Sequence, residues 1–166
     1  MTDFGRRVAA AAANILPKTG QLTSYADYDD GYYQKGWEGE RFTDNGDNTT
    51  TDNATGLMWI KDTVVAGVGG PYGWVAAIAA CEELEYAGHS DWRLPNIMEL
   101  YSIVNCEAWE PALYEEFFVW ADKDVWSSTV YLSGADTFFV MDYGRGRAGY
   151  DDLEYSTDVI RPVRTV

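Results

Sequence analysis

Apolar residues return at helical spacing in "GWVAAIAACEELEYAG" (73–88), where Trp74, Ala77, Ile78, Cys81 and Leu84 share one face. The spacing predicts a helix, and Gly88 stands where a C-terminal cap belongs. A second helix is predicted in "LPNIMELYSIVN" (94–105). Asn96 is placed to cap it, Glu99 follows three residues later as in a capping box, and Ile97, Leu100, Ile103 and Val104 form the buried stripe. Elsewhere the pattern shortens to that of strands. "RFTDNGDNTTTDNATGLMWIKD" (41–62) reads as a hairpin, two β-prone runs around Asn and Gly turns. From residue 118 onward, "VWSSTVYL", "TFFVMDYG" and "VIRPVRTV" read as strands. The order of elements predicts an α+β domain, two helices flanking a mainly antiparallel sheet. Ahead of it, "PKTGQLTSYADYDDGYYQKGWEGERF" (17–42) predicts an irregular but ordered lead-in with at most one short strand.

Length and composition narrow the classes. A chain of 166 residues holds one good core, and seven Trp and twelve Tyr supply bulk for it. The net charge of −15 argues against nucleic acid, whose phosphates need a basic surface, and against anionic lipid. No run of 18 apolar residues is present, so no membrane span is expected. Residues 1–16, "MTDFGRRVAAAAANIL", read as an N-terminal arm or short helix; a signal peptide is the alternative, with a weak apolar part and no clear cleavage site. Residues 17–166 then form a single domain.

Candidate chemistry is sparse. Cys81 and Cys106, with the lone His89, are too few for a sulfur and nitrogen zinc site. Both cysteines fall on apolar helix faces, which makes them a candidate disulfide pair and otherwise inert packing thiols. Asp44, Asp47 and Asp52 are spaced loosely like a calcium loop, but Thr55 occupies the position of the bidentate acid. Turns made by Asx side chains explain them better. No metal and no cofactor is predicted. The run "GRGRAG" spells G-x-G-x-x-G with Gly144, Gly146 and Gly149 after a strand-like run. A dinucleotide fingerprint should then open a helix, yet the remaining 17 residues show no helical periodicity and carry Asp151, Asp152 and Glu154. The run is predicted to be a loop between strands, with Arg145 and Arg147 projecting.

Four phrases occur in a telling order: "PKTGQ" at 17–21, "FTDNGDNTTTDNATGLMW" at 42–59, "GHSDWRLPNIMEL" at 88–100, and "WSST" at 126–129 with "RPVR" at 161–164. Together they resemble the Lcl C-terminal domain family, over about residues 17–166. The resemblance implies a C-type-lectin-like fold and a binding module rather than an enzyme, with the N- and C-terminal strands close together. Some members look like the variable proteins of diversity-generating retroelements, in which a C-terminal segment is diversified to make new binding surfaces, and the resemblance implies cell-surface or virion display. Residues 130–158 hold four Tyr, five Asp, four Gly, two Ser and two Thr and no Lys, a composition close to that of antibody paratopes. Strand alternation puts Phe139, Met141 and Tyr143 inward and Phe138, Val140 and Asp142 outward. The candidate ligand-binding surface is therefore Tyr131, Ser133, Asp136, Val140, Asp142, Arg145, Arg147, Tyr150, Asp151, Asp152 and Tyr155.

The expected partner is an unidentified protein or cell-surface ligand. A glycan-binding adhesin domain is the alternative, although Glu-Pro-Asn and Trp-Asn-Asp sugar motifs are absent and the acidity opposes anionic glycans. An enzyme, by analogy with the formylglycine-generating enzymes, would need a reactive cysteine pair, which two cysteines on apolar helix faces do not offer. Trp92 and Trp126 are read as core, and Arg161 and Arg164 as closing the last strand, with an interior ion pair to Asp91 or Glu99 as one option. His89 is read as a surface residue at a helix exit. Should the C-terminal surface fail, the aromatic lead-in around Tyr32, Tyr33 and Trp37 is the next candidate site.

Overall fold

A computed structural model describes residues 16–132, 136–152 and 158–166. Residues 1–15 of the arm expected over 1–16 lie outside the described residues, as do Ser133 and Tyr155. The hairpin region forms a meander of three strands, β1 (Phe42–Asp44), β2 (Thr49–Asp52) and β3 (Leu57–Ile60). Its turns are built by aspartates: Asp44 Oδ1 accepts from the Gly46 N–H at 2.9 Å, Asp47 Oδ1 from that of Thr49 at 3.1 Å, and Asp52 Oδ1 from that of Ala54 at 3.0 Å. Those carboxylates are occupied by backbone, as Asx turns require. Among the described residues no cluster of acids, His and Cys could hold a metal ion.

The strand β7 (Val163–Thr165) returns across the whole chain to pair antiparallel with β3, Leu57 opposite Thr165 and Trp59 opposite Val163. That closes a four-stranded sheet in the order β1-β2-β3-β7. A second sheet, β4 (Val125–Val130), β5 (Thr137–Asp142) and β6 (Arg147–Asp152), is antiparallel in chain order. The expectation of one sheet flanked by two helices is thus corrected. The strands divide between two sheets, β4 of the second meeting the chain ahead of β7 at a parallel bridge of Val125 with Val159, and the helices do not flank one layer.

The lead-in contains a short helix, α1 (Asp30–Tyr33), where a strand was the only element expected. Helix α2 (Trp74–Glu82) buries Ala77, Cys81 and, just beyond its end, Leu84. It stops well short of Gly88. There Ala87 (φ 50°) and Gly88 (φ 77°) are both left-handed and form a tight turn, across which Tyr86 and His89 exchange backbone hydrogen bonds of 2.9 Å. Helix α3 (Ile97–Ser102) has the complete capping box: Asn96 Oδ1 accepts from the Glu99 N–H at 2.9 Å, and Glu99 Oε2 accepts from the Asn96 N–H at 2.8 Å.

Two apolar clusters fill the interior. One joins Trp59, Leu100, Ile103, Phe118, Met141 and Tyr143; the other joins Cys81, Trp92, Trp126, Phe138, Val140 and Ile160. Trp92 and Trp126 are core as expected, and each indole N–H is satisfied, by the Tyr86 carbonyl at 3.2 Å and the Tyr72 carbonyl at 2.7 Å. Among the described residues buried Arg161 bonds to backbone alone, donating to the Ile60 and Lys61 carbonyls at 3.0 Å each and to that of Val119. Arg164 pairs instead with Asp91 at 2.6 Å, and Glu99 is taken by Arg93, which donates to both its oxygens at 2.6 and 2.8 Å.

Candidate ligand surface

Strand β5 organises the site because its two faces meet different neighbours. Phe138 and Val140 turn toward α2 and Trp126, and Phe138 stacks on Trp74 with ring centroids 3.8 Å apart. Met141 and Tyr143 turn toward α3, where the Tyr143 hydroxyl donates to the Leu100 carbonyl at 2.8 Å. From Val140 to Tyr143 every residue is buried. The outward assignment of Phe138, Val140 and Asp142 is therefore wrong. Over that stretch the strand is covered on both faces and has no solvent side for alternation to reveal.

Asp142 is buried for a reason of its own. Its Oδ2 takes Arg145 Nη1 at 3.1 Å and Arg147 Nε at 3.3 Å, and its Oδ1 takes the Arg145 N–H at 3.1 Å. Burial opposes its ionisation, but the bonds from Arg145 and Arg147 prevail and hold the carboxyl below its usual range. The arginines stay exposed but are tied to the strand they follow. Arg145 borders a hollow of about 160 Å³ whose lining includes Trp120, Asp122 and Lys123. The glycines of "GRGRAG" have three separate roles. Gly146 is left-handed (φ 60°) in the β5–β6 turn, Gly144 adjoins Trp120, and Gly149 sits inside β6 opposite Val140. No helix follows, so the run is a turn and not a phosphate cradle.

The other end of the sheet carries exposed aromatic surface. Phe139 pairs across the sheet with Tyr150, and Tyr131 stacks on Tyr150 at 4.6 Å with planes 8° apart while meeting Phe139 edge-on at 5.1 Å. Val130 and Leu132 are exposed beside them, and Leu132 is 92% accessible. Asp136 is exposed with φ 59°, Asp152 is exposed and Asp151 half-buried. The structure thus brings Tyr131, Tyr150, Asp151 and Asp152 onto the β4–β6 sheet, and gathers Asp142, Arg145 and Arg147 at its turn. Val140 leaves the surface, and Phe139, Val130 and Leu132 join it. Phe139 shares the parity of Met141, but α3 is only six residues long and leaves that end of the strand uncovered.

Asp124, Asp151 and Asp158 are near enough for their charges to interact. Asp158 is buried, and its Oδ2 has no hydrogen-bond partner among the described residues. Burial first, then the charges of Asp151 and Asp124, push its carboxyl up to about 7. Asp124 is raised by burial and by Asp142 and Asp151.

The thiols are not bridged, and Cys106 does not lie on the apolar helix face expected of it. Both are free: Cys81 is buried, whereas Cys106 is exposed, four positions beyond the end of α3. Burial pushes the Cys81 thiol up to about 12, so it stays protonated near neutrality.

The Lcl C-terminal domain family model matches residues 48–164, well over half of the chain, and the protein belongs to that family. No curated protein is similar enough to the chain to count as a match.

Proposed function

We propose that this member of the Lcl C-terminal domain family is a ligand-binding display module. Its fold is C-type-lectin-like, and a diversified segment at about 130–158 forms its variable surface for protein ligands. The observation that carries the reading is the Tyr131–Tyr150 stack beside Phe139, with Tyr150 exposed and the other two rings half-buried, on a sheet whose central strand packs Phe138 and Val140 into the core on its reverse. Tyrosine gives large contact area at low conformational cost, and the Asp and Gly around it adapt to varied partners. Affinity would come from these rings, with no catalytic step. The pairing of β3 with β7 supports the fold, because it brings early and late strands together around the excursion that holds the segment.

Peptides selected from a displayed random library against the whole chain provide the test. Tyr131→Ser with Tyr150→Ser should weaken the selected binders at least tenfold while the melting temperature holds. Undiminished binding by that variant refutes the reading. Binding on a neutral-glycan array that the same pair of substitutions abolishes would transfer the surface to the glycan alternative. A reverse-transcriptase gene beside a near-copy of the codons for 130–158 would support diversification.

A further inference from the structure

The lead-in presents aromatic surface that the β4–β6 sheet does not account for. Tyr25, Tyr28, Tyr32 and Tyr33 are 83, 70, 57 and 49% exposed. Three of the rings pack on one another, Tyr28 on Tyr32 at 5.5 Å, Tyr28 on Tyr33 at 6.1 Å and Tyr32 on Tyr33 at 5.1 Å. The contacts are edge-to-face or tilted, and each ring still keeps about half or more of its surface in water. Contiguous exposed aromatic patches of this kind mark interaction sites.

The presentation is fixed by strain and by tethers. Tyr28 has φ 70°, a left-handed conformation that is costly for a bulky side chain and persists only where its surroundings impose it. Asp29 imposes it, its Oδ2 accepting from the Tyr25 and Ala26 N–H groups at 2.7 and 3.3 Å and its Oδ1 from that of Tyr32 at 2.8 Å. The Tyr25 N–H leads the bonds that hold the Asp29 carboxyl below its usual range. Gly31 lies so close to Thr23 that a Cβ would stand 2.2 Å from its carbonyl oxygen. Glu107, from the far side of α3, accepts from the Leu22 and Thr23 N–H groups at 2.9 and 3.1 Å and from the Thr23 hydroxyl. The tyrosines are anchored to the domain without being buried in it.

Charge indicates the occupant. Residues 22–33, "LTSYADYDDGYY", hold three Asp and no Lys or Arg. Asp29 is occupied by backbone and Asp30 by the Thr19 hydroxyl, whereas Asp27 stands exposed. Ring faces and a carboxylate together suit a guanidinium, which stacks flat on tyrosine and pairs with an acid, better than they suit a compact, strongly hydrated ammonium. The segment also lies outside the residues matched by the family, 48–164.

We propose that the Tyr28–Tyr32–Tyr33 cluster is a second interaction surface that seats an arginine-bearing basic segment of a protein partner. It is separate from the sheet surface, and either can fail without the other.

Two peptides of equal charge, (Gly-Arg)5 and (Gly-Lys)5, titrated into the full chain provide the test, read by NMR of the tyrosine rings. The arginine peptide should shift the signals of Tyr28, Tyr32 and Tyr33 and bind roughly fivefold more tightly than the lysine peptide. The combined Tyr28→Ser, Tyr32→Ser, Tyr33→Ser variant keeps every charge and should lose that preference. Tyr25→Ser, whose ring packs on none of the three, should retain it. Ring mapping on the unaltered chain decides the matter even if the triple variant unfolds. Equal binding of both peptides, or shifts confined to Tyr131 and Tyr150, overturns the proposal. So does self-association that the tyrosine substitutions abolish, which would make the occupant a second copy of the chain.

Discussion

Tyr131 lies nearly parallel to Tyr150, the ring centroids 4.6 Å apart, although 18 residues separate them and Phe139 stands between them in sequence. Register sets the geometry, since Phe139 faces Tyr150 across β5 and β6 while the bulged end of β4 brings Tyr131 alongside. The stack is on the surface, so its contribution to stability is small. Tyr131→Ala and Tyr150→Ala should each cost no more than about 1 kcal/mol, the scale of an exposed cross-strand pair. Trp92→Ala or Trp126→Ala should cost roughly 3–5 kcal/mol, because each leaves a large cavity and an unpaired carbonyl. Denaturant melts of the four variants separate scaffold from surface.

Asp158 gives stability an unusual dependence on pH. Its carboxyl titrates near 7 when folded and near the ordinary carboxylate value when unfolded, so between those values the folded state binds the extra proton. This contribution therefore declines as pH rises from about 4 to about 7 and is level above that. Asp158→Asn removes the buried charge. It should stabilise the protein by roughly 1–3 kcal/mol at pH 8, and by little or nothing at pH 4, compared by thermal melts at the two values. An equal effect at both would show that the carboxyl does not titrate in this range.

The glycines of the β5–β6 turn should respond unequally. Gly146→Ala forces a side chain into a left-handed position and places its Cβ 3.0 Å from that of Ala112, which should cost about 1–2 kcal/mol. Gly149→Ala meets only an ordinary contact of 3.5 Å with Val140 inside a strand and should be neutral within about 0.5 kcal/mol. Chemical denaturation of the pair measures the difference.

The two thiols should separate in a kinetic labelling experiment. Cys106 is exposed and should react with a thiol reagent in the native protein within minutes, whereas buried Cys81 should react only at the rate of unfolding. Two free thiols in unreduced, denatured protein are expected. Finding none would mean that the chain rearranges to bridge them.

Local signals were the legible part of the fold. The capping box of Asn96 and Glu99, the buried stripe of α2 and the Asx turns of the meander each depend on residues within a few positions of one another. What escaped was set by distant partners. Nothing near Val140 indicates that Trp126 covers it, so a strand buried on both sides resembled one with a display face. Strand β6, "RAGYDD", has no apolar alternation, because its pairing with β5 and not a core face defines it. Gly88 resembled a helix cap because the turn it serves, across Tyr86 and His89, uses the same left-handed backbone. At the surface, Tyr131 and Tyr150 followed from composition, whereas the half-buried state of Phe139 depended on the shortness of α3.

The pairing of β3 with β7 has a consequence for synthesis. Leu57 leaves the ribosome more than a hundred residues before Thr165, its partner, so the four-stranded sheet cannot close until the last strand has been delivered. A frameshift or stop codon anywhere in 130–158 would remove Arg161, Val163 and their bonds to the first half of the chain. Such a product would be left with an open sheet edge and an unfilled core, and would be cleared by quality control. The fold thus checks the reading frame of the segment it encloses, whatever residues that segment carries.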